Sequence, residues 1–214
     1  FDLDGVLRFT SSLHEEGLRV ACEEVGISQE WVYSDVAGLS TMAVFDHLVT
    51  RSGGSFSEKQ RQLFRETKRL HSANLLPLCE LNWGLIRELP ALAKDFRLAI
   101  FTGASRESTA NFLSRVGTMS SLFDRVWVSE WDFGSKFEAT SFTRLSQQTG
   151  LDPSDIWLFD DSAPVLQAAR RVSINACHVY GDTADVCELL PACLSNCVKL
   201  ATSAAVREVV QAHG

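Results

Sequence analysis

Residues 1–9 read FDLDGVLRF. Asp2 and Asp4 sit in a run that is otherwise apolar, with Gly5 behind them. Burying one unpaired carboxylate is costly, and two side by side repel each other. Such a pair belongs either in an exposed turn or where something positive binds. Two later apolar runs also end in polar groups: RLAIFTG (97–103) at Thr102, and DIWLFDD (155–161) at Asp160 and Asp161. Lys136, in FGSKFEA, lies just before a helical pattern. In an open parallel sheet, ligands bind at the carboxyl ends of the strands. If these runs are neighbouring strands, the four carboxylates, the Thr102 hydroxyl and Lys136 share one crevice. Oxygen ligands of this kind suit a hard cation, Mg2+ above all, which readily shares its site with a phosphate. Thr102 and Lys136 offer a phosphoryl group a hydroxyl donor and a point positive charge.

The elements that must position these residues follow from the periodicities. Residues 1–4 read as the end of a buried strand. From Leu13 to Asn74 apolar residues recur at three- and four-residue spacing, as in SLHEEGLRVACEEVG, STMAVFDHLVTRSG and SEKQRQLFRETKRLHSANL. Ser40 and Ser57 read as N-caps and Gly26 and Gly53 as stops. From about Leu81 short apolar runs alternate with helical segments. RLAIFTG precedes a helix from Ser105 to Val116, RVWVS (125–129) a helix over about 139–149, and DIWLFDD a helix over 163–172, with INACHVYG (174–181) after it. That alternation implies a parallel sheet covered by helices on both faces. The expected fold is therefore α/β, a Rossmann-like parallel-sheet core (1–11 and 77–214) with a small all-helical cap (12–76) inserted after the first strand. The C-terminal part is expected to hold two short helices and a strand at NCVKL.

With these motifs in order, the chain resembles the haloacid dehalogenase-like hydrolase superfamily. FDLDGVL matches its first motif, FTGAS its second at Thr102, Lys136 its lysine, and Asp160–Asp161 with Ser162 its acidic pair. AGLSTMAVFDHL (37–48) is similar to the cap of the branch holding phosphoglycolate phosphatases, sugar-phosphate phosphatases and beta-phosphoglucomutase. Two positions depart from the pattern: Phe137 stands where proline commonly follows the lysine, and the loop after the first motif reads RFTSS.

The resemblance implies roles. Asp2 attacks phosphorus and becomes an aspartyl phosphate. Asp4 is general acid for the leaving oxygen and then general base for the hydrolytic water. Thr102, Gly103 and Lys136 bind the phosphoryl group, and Lys136 also neutralises Asp2. Mg2+ is held by the Asp2 carboxylate, the Asp4 backbone carbonyl and Asp161, with Asp160 as ligand or supporting group. The implied substrate is a small phosphorylated metabolite, and the implied chemistry that of a phosphate-monoester hydrolase. A phosphosugar mutase would use the same core. A signalling receiver domain combines similar residues, but there the acidic pair precedes the phosphoacceptor in the chain. A catalytically silent binding domain is the remaining alternative, and the intact polar set argues against it.

Other candidates have structural readings. Lys59, Lys68, His47 and His71 read as helix-surface residues, His14 as a cap or surface residue, and His178 as a satisfied histidine near a strand. Arg8 and Arg51 read as surface arginines that could contact a substrate carboxylate or sugar, and the five tryptophans as packing residues. A net charge of −7 argues against nucleic-acid or anionic-membrane partners. No apolar run is long enough to span a bilayer. A cytoplasmic monomer or homodimer is expected. None of the six cysteines forms a C-x-x-C pair. Cys22, Cys79, Cys177, Cys187, Cys193 and Cys197 read as small apolar residues in a reducing compartment. The opening at Phe1 in what reads as mid-strand suggests further residues upstream.

Overall fold

A computed structural model describes residues 1–179. The expected C-terminal helices, the expected strand at NCVKL and Cys187, Cys193 and Cys197 fall outside the described residues. The described chain divides into two compact units, one of residues 1–9 and 80–179, the other of Thr10–Cys79.

In the first unit, a short strand β1 (Arg8–Phe9) pairs antiparallel with β2 (Glu80–Leu81). Helix α4 (Trp83–Leu92) follows, numbered after three helices of the other unit. Strand β3 (Leu98–Thr102) leads to α5 (Arg106–Val116), and β4 (Phe123–Val128) to the short α6 (Ser129–Asp132) and then α7 (Ala139–Thr149). Strand β5 (Trp157–Asp160) leads to α8 (Ala163–Arg170) and β6 (Asn175–His178). β3 pairs parallel with β4, and β5 parallel with β6. The backbone of residues 1–2 joins these pairs. Phe1 N donates to Ala99 O, Phe101 N to Phe1 O, and Asp2 N to Phe159 O. Asp2 thus lies between the carboxyl ends of β3 and β5.

Alternation along the strands builds a core on each face of the sheet. Leu98 and Ile100 of β3 pack with Leu85, Ile86 and Leu89 of α4 and with Phe112 and Val116 of α5. Phe101 faces the other way, onto Phe142 and Leu145 of α7 and Val165, Leu166 and Ala169 of α8. Helices on both faces keep β3 and β5 apolar up to their last residues, the polar Thr102 and Asp160.

The second unit is helical: α1 (Ser11–Val25), α2 (Thr41–Ser52) and α3 (Glu58–Leu75). Gly26 and Gly53 end α1 and α2 in the left-handed conformation, and the Ser40 side chain caps α2. Ser57 and Gln60 form a reciprocal capping box on α3. The stripe Leu18, Ala21, Cys22 and Val25 of α1 packs with Val44, Phe45 and Leu48 of α2 and Phe64 of α3. Lys68 is not a simple solvated lysine, since its Nζ lies 3.2 Å from His14 Nδ1 in a partly buried contact.

One residue that sequence reading passed over anchors the first unit. Asn82 is buried. Its Oδ1 caps α4 by accepting from Leu85 N, its Nδ2 donates to Val6 O, and its backbone N donates to Leu7 O. Asn82→Ala removes a cap, worth about 1 kcal/mol, and orphans the buried Val6 carbonyl, worth another ~1–3 kcal/mol. A loss of about 3 kcal/mol in urea denaturation is the expected outcome.

Candidate active site

The loop after residue 2 is a tight turn closed on itself. Leu7 N and Arg8 N both donate to Leu3 O, and Gly5 N donates to Arg8 O. Gly5 has φ 73°, left-handed backbone that disfavours a side chain. A Cβ on Gly5 would also overlap the Asp161 carboxylate. The glycine is therefore what lets the first and last acidic motifs approach each other.

Lys136 sits in the loop between α6 and α7. That loop is fixed from α7: Ser141 Oγ donates to Phe133 O and Ser135 O, and Arg144 Nη1 donates to Phe133 O. Lys136 Nζ lies 5.5 Å from the centre of the Phe101 ring and meets two carboxylates, 3.0 Å from Asp2 Oδ1 and 2.6 Å from Asp160 Oδ2. Asp160 is fully buried, and its other oxygen accepts from Ser162 N at 2.9 Å. Oxygens of Asp2, Asp160 and Asp161 all lie within 4.8 Å of one another. His178 Nε2 donates to the Asp161 carbonyl at 2.8 Å, so His178 is satisfied at the strand end.

Three carboxylates around one ammonium leave negative charge in excess. Burial, with Asp160 and Asp4 adding to it against the pull of Lys136, pushes Asp2 up to about 6. Burial, with Asp2 and Asp160 adding to it, pushes Asp161 up to about 8. Burial alone would lower the Lys136 ammonium, but Asp160 and Asp2 outweigh it and raise it. A cation of higher charge placed among these oxygens would relieve the repulsion.

The remaining sequence candidates are placed as follows. Thr102 is buried at the end of β3, with its Oγ1 accepting from Ala104 N at 3.1 Å. Gly103 is exposed, and a Cβ there would meet nothing. The Asp4 carboxylate lies outside the acidic cluster and pairs with Arg8 Nε at 2.6 Å. The expectation that Arg8 is a surface arginine is wrong. Its side chain is 0% exposed, because its guanidinium turns inward to Asp4 and to Ser108. The signal was present in FDLDGVLRF, where a lone arginine interrupts an apolar run four residues after Asp4. Arg51 is exposed and pairs with Asp35 at 3.1 Å. Trp131 does not pack inside. It is 69% exposed, with the Arg106 guanidinium 5.0 Å from its ring centre. Trp83 is exposed as well. Cys22, Cys79 and Cys177 are buried and form no disulfide among the described residues, as expected of small apolar residues.

An open α/β sheet with an aspartate pair after one segment, a hydroxyl after a second, a loop lysine and a closing acidic pair defines a class of hydrolases. The family model described as "Haloacid dehalogenase-like hydrolase" matches residues 1–179. The chain belongs to that family. Among curated proteins none matches. Solved structures share the fold at low identity. A predicted phosphoglycolate phosphatase from Haemophilus somnus 129PT is 19% identical with a TM-score of 0.69, covering 86% of each chain. Beta-phosphoglucomutase from Clostridium difficile is 20% identical with a TM-score of 0.64, covering 83% of this chain and 82% of its own. CbbY from Rhodobacter sphaeroides, solved in complex with phosphate, is 17% identical with a TM-score of 0.67, covering 85% of each chain. Among the described residues, no helix is long and apolar enough to cross a membrane.

Gly5→Ala tests the close packing at this site. It should cost about 1–3 kcal/mol through backbone strain and displace Asp161. Thermal unfolding should show the loss, and 13C NMR of the Asp161 carboxyl should show its displacement. Parent behaviour in both would mean that Gly5 is not needed for the approach.

Proposed function

We propose that the protein is a Mg2+-dependent hydrolase of small phosphate monoesters that works through an aspartyl phosphate on Asp2. The observation that carries this reading is the Asp2 carboxylate, buried between the carboxyl ends of β3 and β5, 3.0 Å from Lys136 Nζ and clustered with Asp160 and Asp161. The donor set fits the metal, being all oxygen and over-negative for its one lysine. Asp160 already accepts at both oxygens, from Lys136 and Ser162. The Asp2 carboxylate, the Asp4 backbone carbonyl and Asp161 are the groups that would hold Mg2+, with Asp160 steering Lys136. When bound, the ion supplies charge neutralisation to the phosphoryl oxygens.

The chain's own residues do the rest. An Asp2 oxygen attacks phosphorus, and the P–O bond to the leaving group breaks. Asp4, as the acid, donates its proton to the departing oxygen. Left as a carboxylate, Asp4 then takes a proton from water as that water attacks the aspartyl phosphate. Inorganic phosphate leaves and both aspartates return to their starting forms. Lys136 offsets the charge of Asp2 and of the phosphoryl group, and Thr102 holds a phosphoryl oxygen. Most of the acceleration of phosphoryl transfer comes from such positioning and charge compensation.

A second reading is a phosphosugar mutase, favoured by the fold shared with the Clostridium difficile beta-phosphoglucomutase. Product analysis separates the two, as free inorganic phosphate or as a phosphate moved within the sugar. A screen of phosphorylated metabolites for released phosphate tests the first reading directly.

Two outcomes are expected. Chelator should abolish turnover and Mg2+ restore it, while Ca2+, which takes more ligands at longer distances, should inhibit by drawing both Asp2 oxygens onto the metal. Full activity in chelator would remove the metal from the mechanism. Asp2→Asn should abolish turnover, since an amide cannot form the acyl phosphate. Asp4→Asn should slow sugar-phosphate hydrolysis by ~10^2–10^4-fold. With nitrophenyl phosphate it should leave a longer-lived phosphoenzyme, seen by rapid quench and intact-protein mass. Parent rates in Asp4→Asn would reduce the pair to a metal site.

A further inference from the structure

Arg8 is a fully buried cation to which the chemistry above gives no role. Its guanidinium is turned onto groups of the protein itself rather than presented to solvent. Such burial persists only when the charge is paired and its donors are satisfied. Arg8 Nε donates to Asp4 Oδ1 at 2.6 Å, Nη2 to Ser108 Oγ at 2.7 Å, and Nη1 to Ser108 O at 3.3 Å. Ser108 lies in the first turn of α5, where its backbone N donates to the capping Ser105 Oγ. The helix start that follows Thr102 is thereby tied to the loop that carries Asp4.

The geometry makes this link directional. A guanidinium is planar, so two contacts to Ser108 fix its plane and with it the line of the Nε–H bond. That bond meets Asp4 Oδ1. The backbones on either side are fixed too, by Gly5 N to Arg8 O and Arg8 N to Leu3 O. The Asp4 side chain is 24% exposed, so its partner is buried while the carboxylate itself keeps contact with the solvent side.

We infer that Arg8, anchored on Ser108, is a positioning residue that sets the orientation of the Asp4 carboxylate and acts on the reaction only through it. This rests on Asp4 being the acid/base of the proposed hydrolysis. Lysine cannot replace arginine in this role, because an ammonium has no fixed plane and cannot transmit the orientation of Ser108 to Asp4.

The test uses two aryl phosphates of nearly the same shape, para-nitrophenyl phosphate and phenyl phosphate, with Mg2+. Phenol resembles the tyrosine side chain, with a pKa of about 10, and needs a proton to leave; nitrophenol is more acidic and needs little help. kcat/KM reports the step in which the leaving group departs. Arg8→Met should lower kcat/KM for phenyl phosphate by about tenfold to a hundredfold, as misplacement of an acid does, and for nitrophenyl phosphate much less. Arg8→Lys should show the same bias, and Ser108→Ala the same bias in weaker form. In an Asp4→Asn background, Arg8→Met should have no further effect on either substrate. A purely structural Arg8 would depress both substrates equally and would still do so without Asp4, and that result overturns the inference. If Arg8→Met does not fold, as judged by circular dichroism and melting, Arg8→Lys and Ser108→Ala decide the matter, and an unchanged substrate ratio in both overturns it. Parent activity of Asp4→Asn on phenyl phosphate overturns both the acid/base reading and the inference. Loss of activity in Asp4→Asn with an unchanged ratio in the Arg8 variants overturns the inference alone.

Discussion

Lys136 holds Asp2 and Asp160 together inside the protein, with Asp161 close by. Without a cation there, two buried carboxylates would face each other across a low-dielectric gap, and one would have to take up a proton. The loop that carries the lysine is therefore fastened by Ser141 and Arg144 of α7. Gly5 is shaped to let Asp161 approach, and Ser162 N closes the far side of Asp160. These contacts belong to different elements, yet each serves to hold acidic groups closer than they would otherwise stay. The negative charge that remains in excess of Lys136 is of the kind a hard cation would relieve.

The sheet makes this concentration of charge affordable. Its faces are covered by α4 and α5 on one side and by α7 and α8 on the other, so the strands carry apolar residues almost to their ends. In β3 and β5 the polar side chains Thr102 and Asp160 stand at the carboxyl ends, where the segment of residues 1–2 lies between the two strands. The helical unit has a core of its own around Phe64, Phe45 and Leu48. Its helices are bounded by local devices, the Ser40 cap, the Ser57–Gln60 box and the glycines Gly26 and Gly53, which need no partner from elsewhere in the chain.

Much of this was legible in the sequence. The switch from helical to alternating patterns, the caps at Ser40 and Ser57, and the helix after Ser105 all rest on local periodicity and local hydrogen bonds, which a linear string carries in full. The clustering of Asp2, Lys136, Asp160 and Asp161 was also within reach, because parallel strands align their carboxyl ends whatever their order in the sheet. Asp2 and Asp4 alternate along an apolar segment, and Asp160 and Asp161 end another, so their types and positions already pointed to an oxygen-lined cation site.

The tertiary structure decided what depends on residues far apart in the chain. Arg8 read as a surface residue because most arginines are, and its burial follows from Ser108, a hundred positions away in sequence. Asn82 drew no reading from the sequence, and its role comes from the Val6 and Leu7 carbonyls brought beside it by the pairing of β1 with β2. The tryptophans read alike, but Trp127 is buried whereas Trp131 stands at the surface over Arg106. Residue type and local spacing determine which groups can do chemistry. Which of them are desolvated, and which partner each one meets, is settled only when distant segments pack, because burial and hydrogen bonding across the fold are properties of the assembled chain rather than of any stretch of it.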